Sequence, residues 1–341
     1  MPMFLQRSEA AKSLNVMRGT LGGNIETILW AKGEKPKAID IPVDSVTKTI
    51  TFTFSTDTKG NRFVLTSPSG IIMTEGARNS EVTEFNCGRV VMLSVPEAGT
   101  WRADITDPGK FWLKVEGQSD IYFIKAEFVK SGGRPGHEGM FPIQGQPLAG
   151  DPAALEIDLS AEPARTTEFR LVSEGGETIK ELQMRRLNSD RESLEFAGMV
   201  QLPQKPFRIA VRGVDVNGKA YQRFVSRLFH AESVEVTPKL DFDELPVGST
   251  KNAVFVVRNT GVARTFKVSV TDTHGFVSHV EASSLELRSG ESSSITVQLT
   301  VREGANITGG DDLVTVVSST SGPATSNSSV VHLAIVQPGH N

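Results

Sequence analysis

The sequence predicts an all-β fold: tandem β-sandwich domains of immunoglobulin-like type behind one short N-terminal helix. Three observations predict it. Apolar and polar residues alternate with period two from Ile50 onward, turn residues break these runs at roughly ten-residue intervals, and only one stretch, near the start, has helical spacing.

That stretch is Ser8–Met17, rich in helix formers, with Ser8 as N-cap and Leu14, Met17 and Leu21 at spacings of three and four. Gly22-Gly23 ends it, and Ile25, Ile28 and Leu29 lead through Trp30 into a β region. In Thr49–Phe54 the threonines face one way and Ile50, Phe52 and Phe54 the other, the pattern of a half-buried strand. Phe63–Thr66, Val90–Val95, Trp101–Ile105, Phe111–Val115 and Ile121–Phe128 continue the series, with turns at Ser67-Pro68-Ser69-Gly70 and Asp107-Pro108-Gly109-Lys110. This gives a sandwich over residues 35–130, after a helical segment at 1–34.

Ser131–Gly136 reads as a linker. A second sandwich spans 140–231, with strands at Leu155–Leu159, Glu168–Val172, Leu194–Val200 and Phe207–Val211 and a hairpin signal at Asn217-Gly218. A third, immunoglobulin-like sandwich covers 232–337, with strands at Asn252–Arg258, Thr265–Thr271, Val277–Ala282, Ser293–Val301, Leu313–Ser318 and Val330–Val336. It lacks the paired cysteines of antibody domains.

Composition narrows the function. Charged residues are 22% and hydrophobic residues 38%, a globular balance, and the net charge of −4 comes with no dense Lys/Arg tract. Nucleic acid is therefore not an expected partner. No run approaches the length that crosses a bilayer as a helix, so membrane insertion is not expected. The opening residues Met1–Arg7 show no apolar core of secretory type, which leaves a cytoplasmic location open. Cys87, the single cysteine, reads as a free thiol in a small buried or half-buried position, with an intermolecular disulfide as the alternative. Asn306-Ile307-Thr308 and Asn327-Ser328-Ser329 make Asn306 and Asn327 candidate glycosylation sites.

Several of these segments carry a resemblance. Val90–Val95 with Pro96-Glu97-Ala98-Gly99-Thr100-Trp101, then Val115–Phe123, together with Ser67–Gly70 and Pro147–Gly150, is similar to the region that follows the von Willebrand factor A domain in the hemicentin family. The initial helix and Ile39–Asp44 resemble the tail of that A domain, whose metal-binding Asp-x-Ser-x-Ser motif does not occur here. Asn259-Thr260-Gly261 and Thr271–Phe276 make the third sandwich similar to the C-terminal domain of the von Willebrand factor A domain-containing protein 7 group. The resemblance implies an extracellular adhesion or matrix role, with matrix or cell-surface proteins as partners.

No catalytic set, metal set or cofactor motif is legible. The six histidines form no ligand pair, although a hairpin bringing His274 and His279 together near Asp272 would make one. Asp241-Phe242-Asp243-Glu244 and Asp311-Asp312 lack the alternating ligand spacing of a calcium loop. Arg185-Arg186 and Arg191 read as a solvated charged loop, and Trp30 and Trp101 as core. Trp112, opposite in direction to Phe111, is a candidate interface residue. The expected function is a non-catalytic structural or adhesion module that binds proteins through sandwich surfaces. The alternative is a stand-alone enzyme with a cleft between domains, near His137, Glu138 or His230, acting on a small apolar substrate.

Overall fold

Thr47–Thr56 carries out the alternation that its sequence announces: Ile50, Phe52 and Phe54 are buried, and the threonines between them are half-exposed. The computed structural model describes residues 25–59, 62–77, 79–132, 138–143, 145–150, 152–160, 164–187, 193–203, 205–305, 309–320, 322 and 324–337. The helix expected over Ser8–Met17 lies outside them. Every regular element among the described residues is a strand.

In chain order the strands begin with β1 Ile25–Gly33, β2 Lys37–Val43, β3 Thr47–Thr56, β4 Phe63–Thr66, β5 Ser80–Phe85 and β6 Gly88–Ser94. There follow β7 Gly99–Ile105, β8 Phe111–Ser119, β9 Phe123–Gly132, β10 Gly139–Pro142, β11 Ala153–Ser160 and β12 Ala164–Ser173. Next come β13 Thr178–Leu182, β14 Arg185–Arg186, β15 Ser193–Val200, β16 Phe207–Asp215 and β17 Ala220–Phe224. The last nine are β18 Val234–Lys239, β19 Glu244–Pro246, β20 Thr250–Asn259, β21 Arg264–Thr271, β22 Val277–Val280, β23 Ser284–Leu287, β24 Ser292–Thr300, β25 Gly309–Ser319 and β26 Ser326–Val336.

The chain divides into two compact units, one of residues 1–128 and 154–229, the other of 129–153 and 230–341. In the first, a nine-stranded sheet runs β13-β12-β16-β17-β1-β8-β3-β6-β5. Strands from 35–130 and from 140–231 thus share one sheet, and β1 joins them. The three-stranded sheet β2-β7-β4 packs on one half, where Phe52 meets Trp101 (centroids 5.4 Å apart) and Phe54 stacks on Phe63 (4.8 Å). On the other half, Phe128 of β9 meets Phe207 and Phe229 edge-on, and Phe196 of β15 meets Phe169. Such aromatic pairs bury large areas, so they dominate the core energy.

Ile39–Asp44 is part of the sandwich and not an A-domain tail: β2 pairs with β7 along its whole length, and Ile39, Ile41 and Val43 lie in the core.

The second unit holds a four-stranded sheet β18-β20-β24-β22 and a five-stranded sheet β19-β26-β25-β21-β23. Their inner faces share one core, centred on Phe255, Phe266, Ile295, Leu299 and Leu333. This is the sandwich that the alternation in Asn252–Arg258 and Ser293–Val301 predicts.

Candidate functional site

The first unit concentrates its unusual features in two places. At one end, the turns Ser67–Gly70 and Pro96–Gly99 are locked together. Ser69 donates to Glu97 Oε2 from its N–H (3.3 Å) and from its hydroxyl (2.7 Å), and the Trp101 indole N–H donates to Glu97 O at 2.8 Å. Gly99 has φ +147°, and a Cβ there would lie 3.0 Å from Pro68. Only glycine suits that angle and that contact. The two turns whose residues carry the family resemblance are therefore one packed unit on the Trp101 core.

That unit displays apolar side chains. Ile71 is 59% exposed, Ile72 53% and Val95 78%. Val95 also has φ +53°, in the left-handed region that a β-branched side chain disfavours by roughly 1–2 kcal/mol. Its N–H is fixed to Lys48 O (2.8 Å), so the frame around it imposes the angle.

The second place is the seam between β1 and β17. They register at a single pair, Thr27 opposite Phe224. Beside it, the pairing of β1 with β8 shifts between Thr27 and Leu29, leaving Ile28 as an extra residue. A bulge of this kind reverses which face later residues use. Glu26, opposite Gly117, turns to the interior side of β8, whereas Thr27 and Trp30, opposite Glu116 and Lys114, turn outward. Gly117 admits no side chain, since a Cβ there would meet Thr49 O at 2.7 Å and Ile28 Cδ1 at 3.0 Å.

On the interior side, a pocket of about 180 Å³ is bounded by Glu26, Phe123, Ile124, Lys125 and Phe224. Burial pushes Glu26 up to about 7, against the pull of the Arg223 guanidinium and the Phe123 N–H. Its carboxyl can therefore gain or lose a proton near neutrality. On the outer side, Lys114 and Arg208 both lie over the Trp30 ring, 5.7 and 5.4 Å from its centroid. Trp30 is half-exposed, which corrects its reading as core.

The sites named from sequence are scattered. Cys87, half-buried, occupies the β5–β6 turn, its carbonyl accepting from Thr56 N at 2.9 Å. Trp112 is half-buried between Lys32 and Ser55 on the neighbouring strands, while Phe111 is buried, as alternation requires. Asn306 and His137 lie outside the described residues, and so does Arg191. Asn327 is buried: its Nδ2 donates to Gln146 O (2.9 Å) and Val234 O (2.8 Å), and its Oδ1 accepts from Gln146 N (2.7 Å). Glu138 is exposed, and His230 is half-buried, its N–H bonded to Gln146 Oε1.

His274 and His279 go separate ways. His274 Nδ1 lies 2.9 Å from Asp311 Oδ1, and His279 stands exposed opposite Gln298. Asp311 is buried and Asp312 pairs with His332 (2.5 Å), so neighbours on β25 use opposite faces. Asp241, Asp243 and Glu244 are exposed. Sequence reasoning missed Glu26, Arg208, Ile71, Ile72 and Val95. The signal for Val95 was an apolar residue before the Pro96 turn; nothing in the sequence marked the bulge that turns Glu26 inward.

The strands of this first sandwich, β1 to β8, coincide with a match to the family described as Hemicentin galactose-binding domain-like, over residues 26–120. This region is similar to hemicentin. Residues 241–337, from β19 to β26, match the family described as VWA7 Ig-like domain. Hemicentin-1 of Mus musculus is 26% identical over 212 residues, which make up 61% of this chain and 4% of that protein. The hemicentin-like region therefore spans a small fraction of its relative. Solved structures give weaker likenesses. Escherichia coli alpha-2-macroglobulin activated by porcine elastase shows 10% identity and a TM-score of 0.28, over 89% of this chain and 30% of that one. A Bacillus licheniformis lipase in propeptide form shows 12% and 0.29, over 64% and 46%.

Proposed function

We propose that this chain is an extracellular-type structural and adhesion module that binds matrix or cell-surface proteins through its β-sandwich surfaces. The observation that carries the reading is the locked turn pair at the end of the hemicentin-like domain. Ile71, Ile72 and Val95 are held out to solvent on it, and Val95 keeps a strained angle there. Exposed apolar groups on a rigid base supply binding energy without an ordering cost. The order of the two family matches, hemicentin-like then immunoglobulin-like, supports an assembly role of the kind such modules have.

The test is cell-free binding and cell adhesion with the purified chain and its Ile71→Asp/Ile72→Asp/Val95→Asp variant. Wild-type protein is expected to bind solubilised extracellular-matrix proteins and support adhesion, and the triple variant to lose at least about tenfold in affinity at a Tm no lower than wild type. Equal binding by the two would refute the reading.

A further inference from the structure

We propose that the outer cleft at Trp30 binds the oxyanion group of an acidic saccharide, a sulfate or a carboxylate on a sugar ring, through Arg208 and Lys114. This goes beyond the protein-binding reading and does not depend on it, since it uses the β1–β17 seam and not the turn pair.

The cleft, about 230 Å³, is lined by Thr27, Trp30, Lys114, Arg208, Val225 and Ser226. Its charged lining groups are both cations. Lys114 is shared with Glu116 at 2.6 Å, but Arg208 is in deficit. Its Nη1 donates to Ser226 O, whereas its Nε is shielded from water and has no hydrogen-bond partner. Burial weakens its hold on the proton, and the carboxylate that acts on it, Glu174, is already ion-paired with Lys32. A half-buried guanidinium beside an indole ring, whose nearby carboxylate is shared with a lysine, attracts an anion more strongly than a fully solvated one does.

The geometry favours a sugar over an acidic peptide. β1 and β17 are both interior strands of the nine-stranded sheet, so the cleft does not lie on an outer strand that a peptide backbone could extend. A saccharide needs what the cleft supplies: cations for its oxyanion, an indole beside it for the apolar ring face, and the Thr27 and Ser226 residues at its wall. The small volume suits one ring unit of a longer chain.

The experiment is calorimetric titration of the full chain with a sulfated heparin tetrasaccharide, its desulfated, N-acetylated and carboxyl-reduced counterpart, inorganic sulfate and a tetraglutamate peptide. The sulfated tetrasaccharide is expected to bind, with the other three at least about tenfold weaker. Lys114→Gln and Arg208→Gln should each weaken it severalfold, Lys251→Gln on the second unit should not, and added salt should weaken binding throughout. Binding should quench indole fluorescence in wild type and lose that signal in Trp30→Phe. Should Arg208→Gln fail to fold, Lys114→Gln and the Trp30 signal still decide. Unchanged affinity in Lys114→Gln and Trp30→Phe at wild-type Tm would overturn the proposal. So would equal binding of tetraglutamate, which assigns the cleft to a peptide, or of inorganic sulfate, which assigns it to a bare anion.

Discussion

Arg223 Nη2 donates to Asp44 Oδ2 across 2.5 Å, and neither side chain has any exposed surface. The pair is also fully engaged. Arg223 donates further to Ser119 Oγ, Ile121 O and Gln222 O, while Asp44 Oδ1 accepts from Val46 N and from the Thr47 and Ser119 hydroxyls. Residues 44, 119 and 223 thereby hold together the two halves of the first unit beside the β1 seam. Removing one partner leaves a buried charge uncompensated. Asp44→Leu is expected to cost about 3–5 kcal/mol in urea denaturation. Arg223→Met should cost a similar amount, and Asp44→Leu/Arg223→Met much less than the sum. Additive single losses would show that the two residues do not act as a pair.

The strands on both sides of this pair were legible, and the pair was not. Period-two burial is local, so Thr49–Phe54, Phe63–Thr66 and Asn252–Arg258 could be read from a few residues each. The joining of 35–130 to 140–231 rests on β1, a strand read from sequence only as a lead-in after the helix. It rests also on Arg223, an arginine in a run that alternation alone makes half-solvated. Nothing local says that Arg223 meets a carboxylate 179 residues away. The same holds for the candidate site. The turn pair was visible as two turns, but their contact through Ser69 and Glu97 is tertiary. Glu26 faces inward only because a bulge shifts the register by one.

Glu26 gives stability a pH dependence of definite sign. Its folded carboxyl titrates at about 7, above the 4.5 of an unperturbed glutamate, so the folded state binds the extra proton between those values. Stability from this group is full below about 4.5 and is lost as pH rises towards 7. The groups facing it are Arg223 of β17, which opposes the shift, and Lys125 at the pocket wall. The span amounts to about 3 kcal/mol at most. Urea midpoints at pH 5 and pH 7.5 should therefore differ more in wild type than in Glu26→Gln. Equal pH slopes in the two proteins would reject the assignment.

Val95 separates strain from recognition. Asparagine tolerates the left-handed angle better than valine does, so Val95→Asn should raise stability by roughly 1 kcal/mol. The same change removes an apolar side chain that is 78% exposed, and partner binding should fall. Stability from denaturation and affinity from surface plasmon resonance are expected to move in opposite directions. If Val95→Asn leaves binding intact, Val95 is a strained turn residue and no part of the interface.

Asn327 is a sequon residue whose amide is already committed. Both Nδ2 bonds go to backbone carbonyls, at Gln146 and at the buried Val234 side of β18, and Oδ1 takes the Gln146 and Ser328 N–H groups. A sugar on Nδ2 would remove a donor from a residue that is 6% exposed and leave a carbonyl unpaired. Peptide mapping of folded protein secreted from glycosylating cells is therefore expected to find Asn327 bare. Asn327→Ala should cost about 3 kcal/mol, because several buried backbone groups lose their partner at once. Asn327→Gln should not rescue it, since the longer side chain cannot place its amide between the same carbonyls. A glycan found on Asn327 in protein of native stability would mean that the segment Gln146–Asn327–Val234 is arranged otherwise.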